Sequence, residues 1–351
     1  MASETIAIGE RTIGAGQPAY MIAELSANHN QSFDHAVRIV RAAKEAGADA
    51  VKLQTYTADT ITISSDRECF RIRGGTLWDG RTLYDLYQEA FTPWDWQPKL
   101  KQLCHDLGLD LFSSAFDPSA VDFLEKMGVP AHKIASPELV DLPLIQKMAR
   151  TGKPLILSTG MATLEEIDEA IATARNAGAT QLALLRCTSA YPAPPEEMNL
   201  RSIPDMARRF GLPVGLSDHT PGIAVSVAAV ALGAALIEKH LTWSRAEGGP
   251  DSAFSLEPAE FKALVDAVRS AEKSLGQVQY GATAHELKTR AYRRSLFVVR
   301  DVKRGEAFTS DNVRSIRPAN GLHPRHLPEI LGRHAKGDIE RGTPVAWELV
   351  E

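Results

Sequence analysis

Two histidines carry the clearest chemical signal in the chain. His219 stands in Gly215-Leu216-Ser217-Asp218-His219-Thr220, and His240 ends Ile237-Glu238-Lys239-His240. Each follows a short apolar run, at 212–216 and 234–237, and residues 222–233 between them suit a buried crossover helix. A β-α-β connection is right-handed and lays parallel strands side by side, so both imidazoles emerge at one edge. Such a pair can hold a divalent cation and leave its remaining positions open to substrate. The alternative is two unrelated histidines, one in a loop and one packed.

A second set of residues suits an anionic ligand. Lys52, Lys133 and Arg186 bring positive charge, and Ser114, Ser136, Ser158, Ser189 and Ser217 bring hydroxyls that could complete a phosphate or carboxylate cradle. Ser158 and Thr159 precede a helix, where free backbone N–H groups favour anions. Taken singly, each serine reads as an ordinary turn or cap residue. Glu24 and Glu138 are suited to general acid/base work, or to salt bridges with Lys52 and Lys133.

These residues need a scaffold that brings them to one place. Apolar runs at 19–23, 50–54, 109–112, 131–135, 155–157, 182–185, 212–216 and 234–237 each end in a polar residue. Helical patterns at 34–46, 119–127, 143–150, 164–176, 204–210, 223–232 and 258–275 alternate with them, and glycines such as Gly128 and Gly211 punctuate the helix ends. Eight such alternations predict an α/β fold, a (β/α)8 TIM barrel. In that fold the loops after the strands converge on one mouth, where Glu24, Gln54, Ser114, Glu138, Ser158, Ser189, His219 and His240 all fall. The two-residue period of a strand puts Lys52 and Gln54 on one face. An open doubly wound sheet would need an early glycine-rich dinucleotide turn, and the sequence has none.

Residues 5–16 read as a hairpin plugging the barrel floor. Residues 55–95 form a disproportionately long loop, rich in aromatics such as Trp78, Trp94 and Trp96. Loops of this length are commonly functional, so it is expected to wall the substrate, the alternative being a packing flap. After Gly276 the pattern changes. The expected division is a barrel at 1–280, a linker at 281–293 and a compact β-rich module at 294–351. That module is too small to be confidently stable alone, so it should dock on a barrel, its own or a partner's.

Composition excludes several classes. Of 351 residues, 39 are Lys or Arg and 44 Asp or Glu, a net charge of −5 that offers nucleic acid no basic field. No apolar run is long enough to span a membrane. Met1-Ala2-Ser3-Glu4 has neither a basic n-region nor an apolar core, which predicts no leader. Cys69, Cys104 and Cys187 match no zinc spacing and read as reduced thiols of a cytoplasmic protein.

Ile22-Ala23-Glu24, Val51-Lys52-Leu53-Gln54, Lys133-Ile134-Ala135-Ser136, Leu157-Ser158-Thr159-Gly160-Met161, Ser217-Asp218-His219-Thr220, Glu238-Lys239-His240 and Gly249-Pro250-Asp251 together resemble the nonulosonic (sialic) acid synthase family. Arg317-Pro318-Ala319-Asn320-Gly321 resembles that family's antifreeze-like (SAF) domain, and the likeness spans essentially the whole chain. Glu24-Leu25-Ser26-Ala27-Asn28-His29-Asn30-Gln31, Gly74 to Gly80, Thr92-Pro93-Trp94 and the segment Cys187 to Pro194 resemble its pseudaminate-forming branch.

The resemblance implies condensation of phosphoenolpyruvate with the open-chain aldehyde of an amino sugar, entry of water and loss of phosphate by C–O cleavage. For the pseudaminate branch the sugar is 2,4-diacetamido-2,4,6-trideoxy-L-altrose; the alternatives are synthesis of neuraminate or legionaminate and, more remotely, a non-catalytic carbohydrate binder. By the same resemblance His219 and His240 hold Mn2+ or Mg2+. Lys52, Ser114, Lys133, Ser136, Ser158, Ser189 and Ser217 hold phosphoenolpyruvate, and Ser189 stands where neuraminate synthases usually carry Asn. Gln54, Tyr191 and Asp251 hold the sugar, and Glu24 or Glu138 removes the proton of the attacking water. A domain-swapped homodimer would bring Arg317 to the partner's sugar.

Overall fold

The computed structural model describes residues 5–351; Met1 to Glu4, read above as lacking a leader, lie outside the described residues. The chain divides into two units, Met1–Gly276 and Gln277–Glu351.

The first unit is a closed barrel of eight parallel strands. In chain order they are β1 (Tyr20–Glu24), β2 (Ala50–Thr55), β3 (Asp110–Ala115), β4 (His132–Ile134), β5 (Leu155–Ser158), β6 (Leu182–Cys187), β7 (Val214–Asp218) and β8 (Leu236–His240). Each pairs with its sequence neighbour, and β8 closes the ring on β1, with His240 opposite Glu24. These segments are strands because they are short apolar runs flanked by capped helices. Asp117 caps Pro118–Met127 and Gly128 ends it in the left-handed region, while Thr163 and Glu166 form a reciprocal box at Leu164–Asn176. Met21, Leu53, Phe112 and Phe261 are among the fully buried side chains that fill the core.

The amino-terminal hairpin, Ile6–Ile8 paired with Arg11–Ile13, lies at the barrel floor. Arg11 Nη1 reaches Asp110 at the start of β3 at 3.0 Å, and Gln181, just before β6, accepts from Ala7 N at 2.7 Å. Gly215 matters for the mouth. A Cβ there would collide with the Leu236 carbonyl oxygen and the Leu185 side chain, so glycine lets β7 pack against β8.

The helix Gln97–Asp106 completes the ring of helices, although no helical pattern was assigned there from sequence. The long loop is also partly helical, at Ala58–Ile61 and Leu83–Ala90.

In the second unit, residues 281–293, expected as a linker, carry regular local structure. Thr283 and Glu286 cap a helix at Ala284–Thr289, followed by a turn at Arg290–Tyr292. At about 1.5 Å per residue a helix spans less than half the length of extended chain, so this segment reaches less far than the same residues would when extended. Beyond it, Ser295–Val298 pairs antiparallel with Val313–Ile316 over a small core containing Leu296, Val298, Phe308 and Val345. Arg317 is exposed at the end of the second strand.

Candidate active site

The inward faces of the strand ends build a small polar recess of about 60 Å³, lined by residues of seven strands and the loops that follow. Alternation along β2 sends Lys52 and Gln54 inward, as the two-residue period requires. Lys52 Nζ donates to Ser114 Oγ on β3 at 3.2 Å, and Lys133 Nζ donates to Ser158 Oγ at 2.6 Å. Ser136 Oγ accepts from Gly160 N at 3.1 Å. A Cβ on Gly160 would run into the hydroxyls of both Ser136 and Ser189, so glycine keeps open the space on which these groups converge. Two buried lysines amid hydroxyls and a bare backbone make a cradle for an oxyanion.

An ionic triad borders the recess. Lys52 Nζ lies 3.0 Å from Glu24 Oε2 and 3.2 Å from Glu238 Oε1, and all three groups are buried. Burial pushes the Glu24 carboxyl up to about 7, against the pull of Lys52. Burial acts the same way on Glu238, but Lys52 and Lys133 outweigh it and hold this carboxyl below its ordinary value. Burial brings the Lys133 ammonium down to about 8. Thus one carboxylate stays charged beside the lysines while the other titrates near neutrality, a division suited to proton transfer.

His240 ends β8 and His219 follows β7, with ring centroids 5.3 Å apart. His219 Nδ1 faces the Thr188 carbonyl oxygen at 3.0 Å, which fixes the N–H there and leaves Nε2 as a free lone pair. His240 Nδ1 is buried with no hydrogen-bond partner. Burial and the neighbouring His219 hold His240 well below the ordinary imidazole value, so it is neutral as a ligand must be. On His219 burial opposes protonation, but the adjacent Cys187 outweighs it and favours the proton, for which a cation would compete. Among the described residues no group of three or more His, Cys, Asp or Glu side chains is gathered for a metal. The unpartnered ring nitrogen of His240 and the lone pair left on His219 fit an ion held by two imidazoles, with solvent and substrate supplying its other ligands.

Behind the histidines, on the opposite strand faces, Lys239 Nζ donates to Asp218 Oδ2 at 2.8 Å and to Thr220 O at 2.6 Å. Ser226 Oγ donates to the same carboxylate.

The recess abuts a larger chamber of about 390 Å³, with Gln54, Tyr191 and His240 in both linings. Tyr191 stacks on His219 with centroids 4.3 Å apart. Asp251 and Ser189 line the chamber, and the long loop supplies Ile72, Trp78, Leu86 and Tyr87. Trp78 Nε1 donates to Pro250 O at 3.0 Å, tying that loop to the one after β8. Trp94 and Trp96 do not join this wall. Trp94 packs on Phe123 at 4.9 Å and Trp96 on Phe33 at 5.8 Å, both against the core, so they are packing residues and not a ligand surface.

Lys52, Gln54, Ser114, Lys133, Ser136, Ser158, Tyr191, Ser217, His219 and His240 thus share the recess. Glu24 stands behind it, in contact with Lys52 and Gln54. Glu138, on the turn Ser136–Val140, is not among the lining residues of either cavity, and burial lifts its carboxyl to about 7. Arg186 faces the other way: its Nε donates to Met198 O at 3.1 Å, because alternation along β6 turns Cys187 inward instead. Arg317 belongs to the second unit.

Sequence reasoning missed Glu238 and Cys187. The same two-residue period that pairs Lys52 with Gln54 puts Glu238 on the face of His240, so the signal was present. Cys187 lies 3.9 Å from His219 Nδ1; burial would raise its thiol, but the histidine outweighs that and brings it to about 7.

Residues 39–280 match the NeuB family and residues 293–351 the SAF domain. The chain is 44% identical to pseudaminic acid synthase of Helicobacter pylori, over 95% of this chain and 98% of that protein. It is 46% identical to pseudaminic acid synthase of Campylobacter jejuni, over 92% and 94%. Among solved structures, the N-acetylneuraminic acid (sialic acid) synthetase of Leptospira borgpetersenii is similar with a TM-score of 0.72 and 31% identity, covering 82% of this chain and 95% of that one.

Proposed function

The chain belongs to the NeuB family, and from that premise we propose that it is a pseudaminic acid synthase. It condenses phosphoenolpyruvate with 2,4-diacetamido-2,4,6-trideoxy-L-altrose and water, giving pseudaminic acid and phosphate. The observation that carries this reading is the pairing of two cavities with different chemistry. A polar recess with two buried lysines suits the small, highly charged enol phosphate, and an adjoining chamber walled by Trp78, Leu86 and Tyr87 suits a sugar with a methyl group in place of a hydroxyl.

Phosphoenolpyruvate is held by Lys52, Ser114, Lys133, Ser136, Ser158, Ser189 and Ser217, the sugar by Gln54, Tyr191 and Asp251. When bound, a divalent ion, Mn2+ or Mg2+, held by His219 and His240 supplies Lewis-acid polarisation of the aldehyde oxygen. The enol carbon of phosphoenolpyruvate forms the new C–C bond to the aldehyde carbon, whose π electrons pass to the oxygen as an alkoxide that takes up a proton, leaving positive charge on the carbon that bears phosphate. Water adds to that carbon, and Glu24, which is in contact with two recess residues, takes its proton. Glu138 likewise lines neither cavity, and it lacks the ion pair that ties Glu24 to Lys52 of the recess. The C–O bond to phosphate then breaks, and the lysines carry the departing charge.

The protein works in the cytoplasm as a domain-swapped homodimer in which Arg317 completes the partner's sugar site. Support comes from the exposure of Arg317 and from the small core of its unit. The test of the activity is phosphate release from phosphoenolpyruvate with each of three sugars, the precursors of pseudaminate, neuraminate and legionaminate. Release with the altrose derivative alone is expected. Preferential release with either other sugar would overturn the assignment to pseudaminate.

A further inference from the structure

Ser26 follows β1 by two residues and is buried, with a backbone φ of 47°. This left-handed conformation is costly for a residue with a Cβ and free for glycine. The bend itself has other supports. Asn28 Nδ2 donates to Leu241 O at 3.1 Å and to Ser255 Oγ at 2.9 Å, fastening the loop after β1 to the loop after β8. A serine here therefore adds a hydroxyl that the bend does not require, at a position whose backbone disfavours it.

That hydroxyl links two groups. Ser26 Oγ accepts from Gln54 Nε2 at 2.9 Å and donates to Asp251 Oδ2 in a tight contact. The second amide hydrogen of Gln54 goes to Glu24 Oε1 at 3.1 Å, so the amide nitrogen is fully used and Oε1 is left for the chamber. Asp251 Oδ2 also receives Ala27 N at 3.3 Å, which leaves Oδ1 as its free acceptor. Ser26, Gln54 and Asp251 all line the chamber.

We infer that Ser26 is a specificity-determining positioning residue, whose hydroxyl cross-links Gln54 to Asp251 and turns one acceptor oxygen of each toward the sugar. The site then selects a sugar that presents two donors, a hydroxyl and an acetamido N–H, to these oxygens. A sugar lacking either donor would leave a buried acceptor unpaired, which is a strong ground for rejection. Without the serine hydroxyl the Gln54 amide is held by Glu24 alone and Asp251 loses its link to it, so the pattern loosens.

This rests on the synthase reading, and the experiment separates the two. Sugar and phosphoenolpyruvate KM values are measured by phosphate release for the wild type, Ser26→Ala and Ser26→Gly, together with their melting temperatures. Failure of the wild type to release phosphate with any amino sugar would end both ideas before a variant is made. Given an active wild type, both variants should raise the sugar KM about tenfold while the phosphoenolpyruvate KM stays within about twofold. Ser26→Gly should melt no lower than Ser26→Ala, because it relieves the backbone. An unchanged sugar KM in Ser26→Gly would overturn the inference, as would an equal rise for both substrates.

Discussion

Lys239 Nζ and Asp218 Oδ2 meet at 2.8 Å across β8 and β7, one residue before His240 and His219 respectively. Both side chains are essentially fully buried. The ion pair therefore ties together the two strand ends that carry the imidazoles, from the face the ligand never sees.

Breaking this pair should cost more than its net worth. Lys239→Met leaves the Asp218 carboxylate buried and uncompensated, and urea denaturation should show a loss of about 3–5 kcal/mol. Replacing both partners with apolar residues should recover much of that loss. A single variant as stable as the wild type would mean the pair is not desolvated in solution.

If Glu24 is the base, its titration should appear in the rate. Burial raises this carboxyl to about 7, and only the deprotonated form accepts a proton. As pH falls below about 7, kcat/KM should drop about tenfold per unit. Glu24→Gln should be nearly inactive, whereas Glu138→Gln should keep both activity and the acid limb. The reverse pattern would move the base to Glu138.

Removal of the metal has a readout beyond turnover. A chelator should abolish phosphate release and Mn2+ restore it. His240→Ala should lose Mn2+ binding in calorimetry while its circular dichroism is unchanged. Full activity of a metal-stripped variant lacking both His219 and His240 would end the metal proposal.

The tryptophans should separate by location. Trp78→Ala, in the chamber wall, should raise the sugar KM by about tenfold, with little effect on the phosphoenolpyruvate KM. Trp94→Ala, packed on Phe123, should instead lose about 3 kcal/mol of stability and leave both KM values alone. Equal effects on both substrates from Trp78→Ala would make the loop a flap.

Composite sites predict complementation. An Arg317→Ala chain and a Glu24→Ala chain, each nearly inactive, should regain activity on mixing, because heterodimers contain one intact site. A mixture that stays inactive although subunit exchange is seen by mass would show that Arg317 serves its own barrel.

Much of this was legible from residue types and spacing. Each barrel strand is a short apolar run with an inward polar residue at its end, so Lys52, Gln54, Ser114, Ser158, Ser217 and the two histidines could be placed before any coordinates. The helix Gln97–Asp106 was hidden because its apolar positions are few and Pro98 stands near its start, where proline is tolerated but reads as a breaker. Trp94 and Trp96 were misjudged because aromatic composition does not say which way a ring faces. Arg186 faces away from the mouth because the strand period, and not its charge, sets the direction of its side chain. The bend at Ser26 had no sequence signal, since a positive φ at a serine arises from the loops around it.

The two cavities have a consequence for traffic. The recess lies at the strand ends and the chamber stands over it, sharing Gln54, Tyr191 and His240 as common walls. If those shared walls are also the way in, whatever occupies the outer room bars the door to the inner one. On that geometry the enol phosphate would park first and the sugar follow, and an early sugar would shut an empty recess. High sugar should thus slow turnover in competition with phosphoenolpyruvate, a queue imposed by geometry with no moving part.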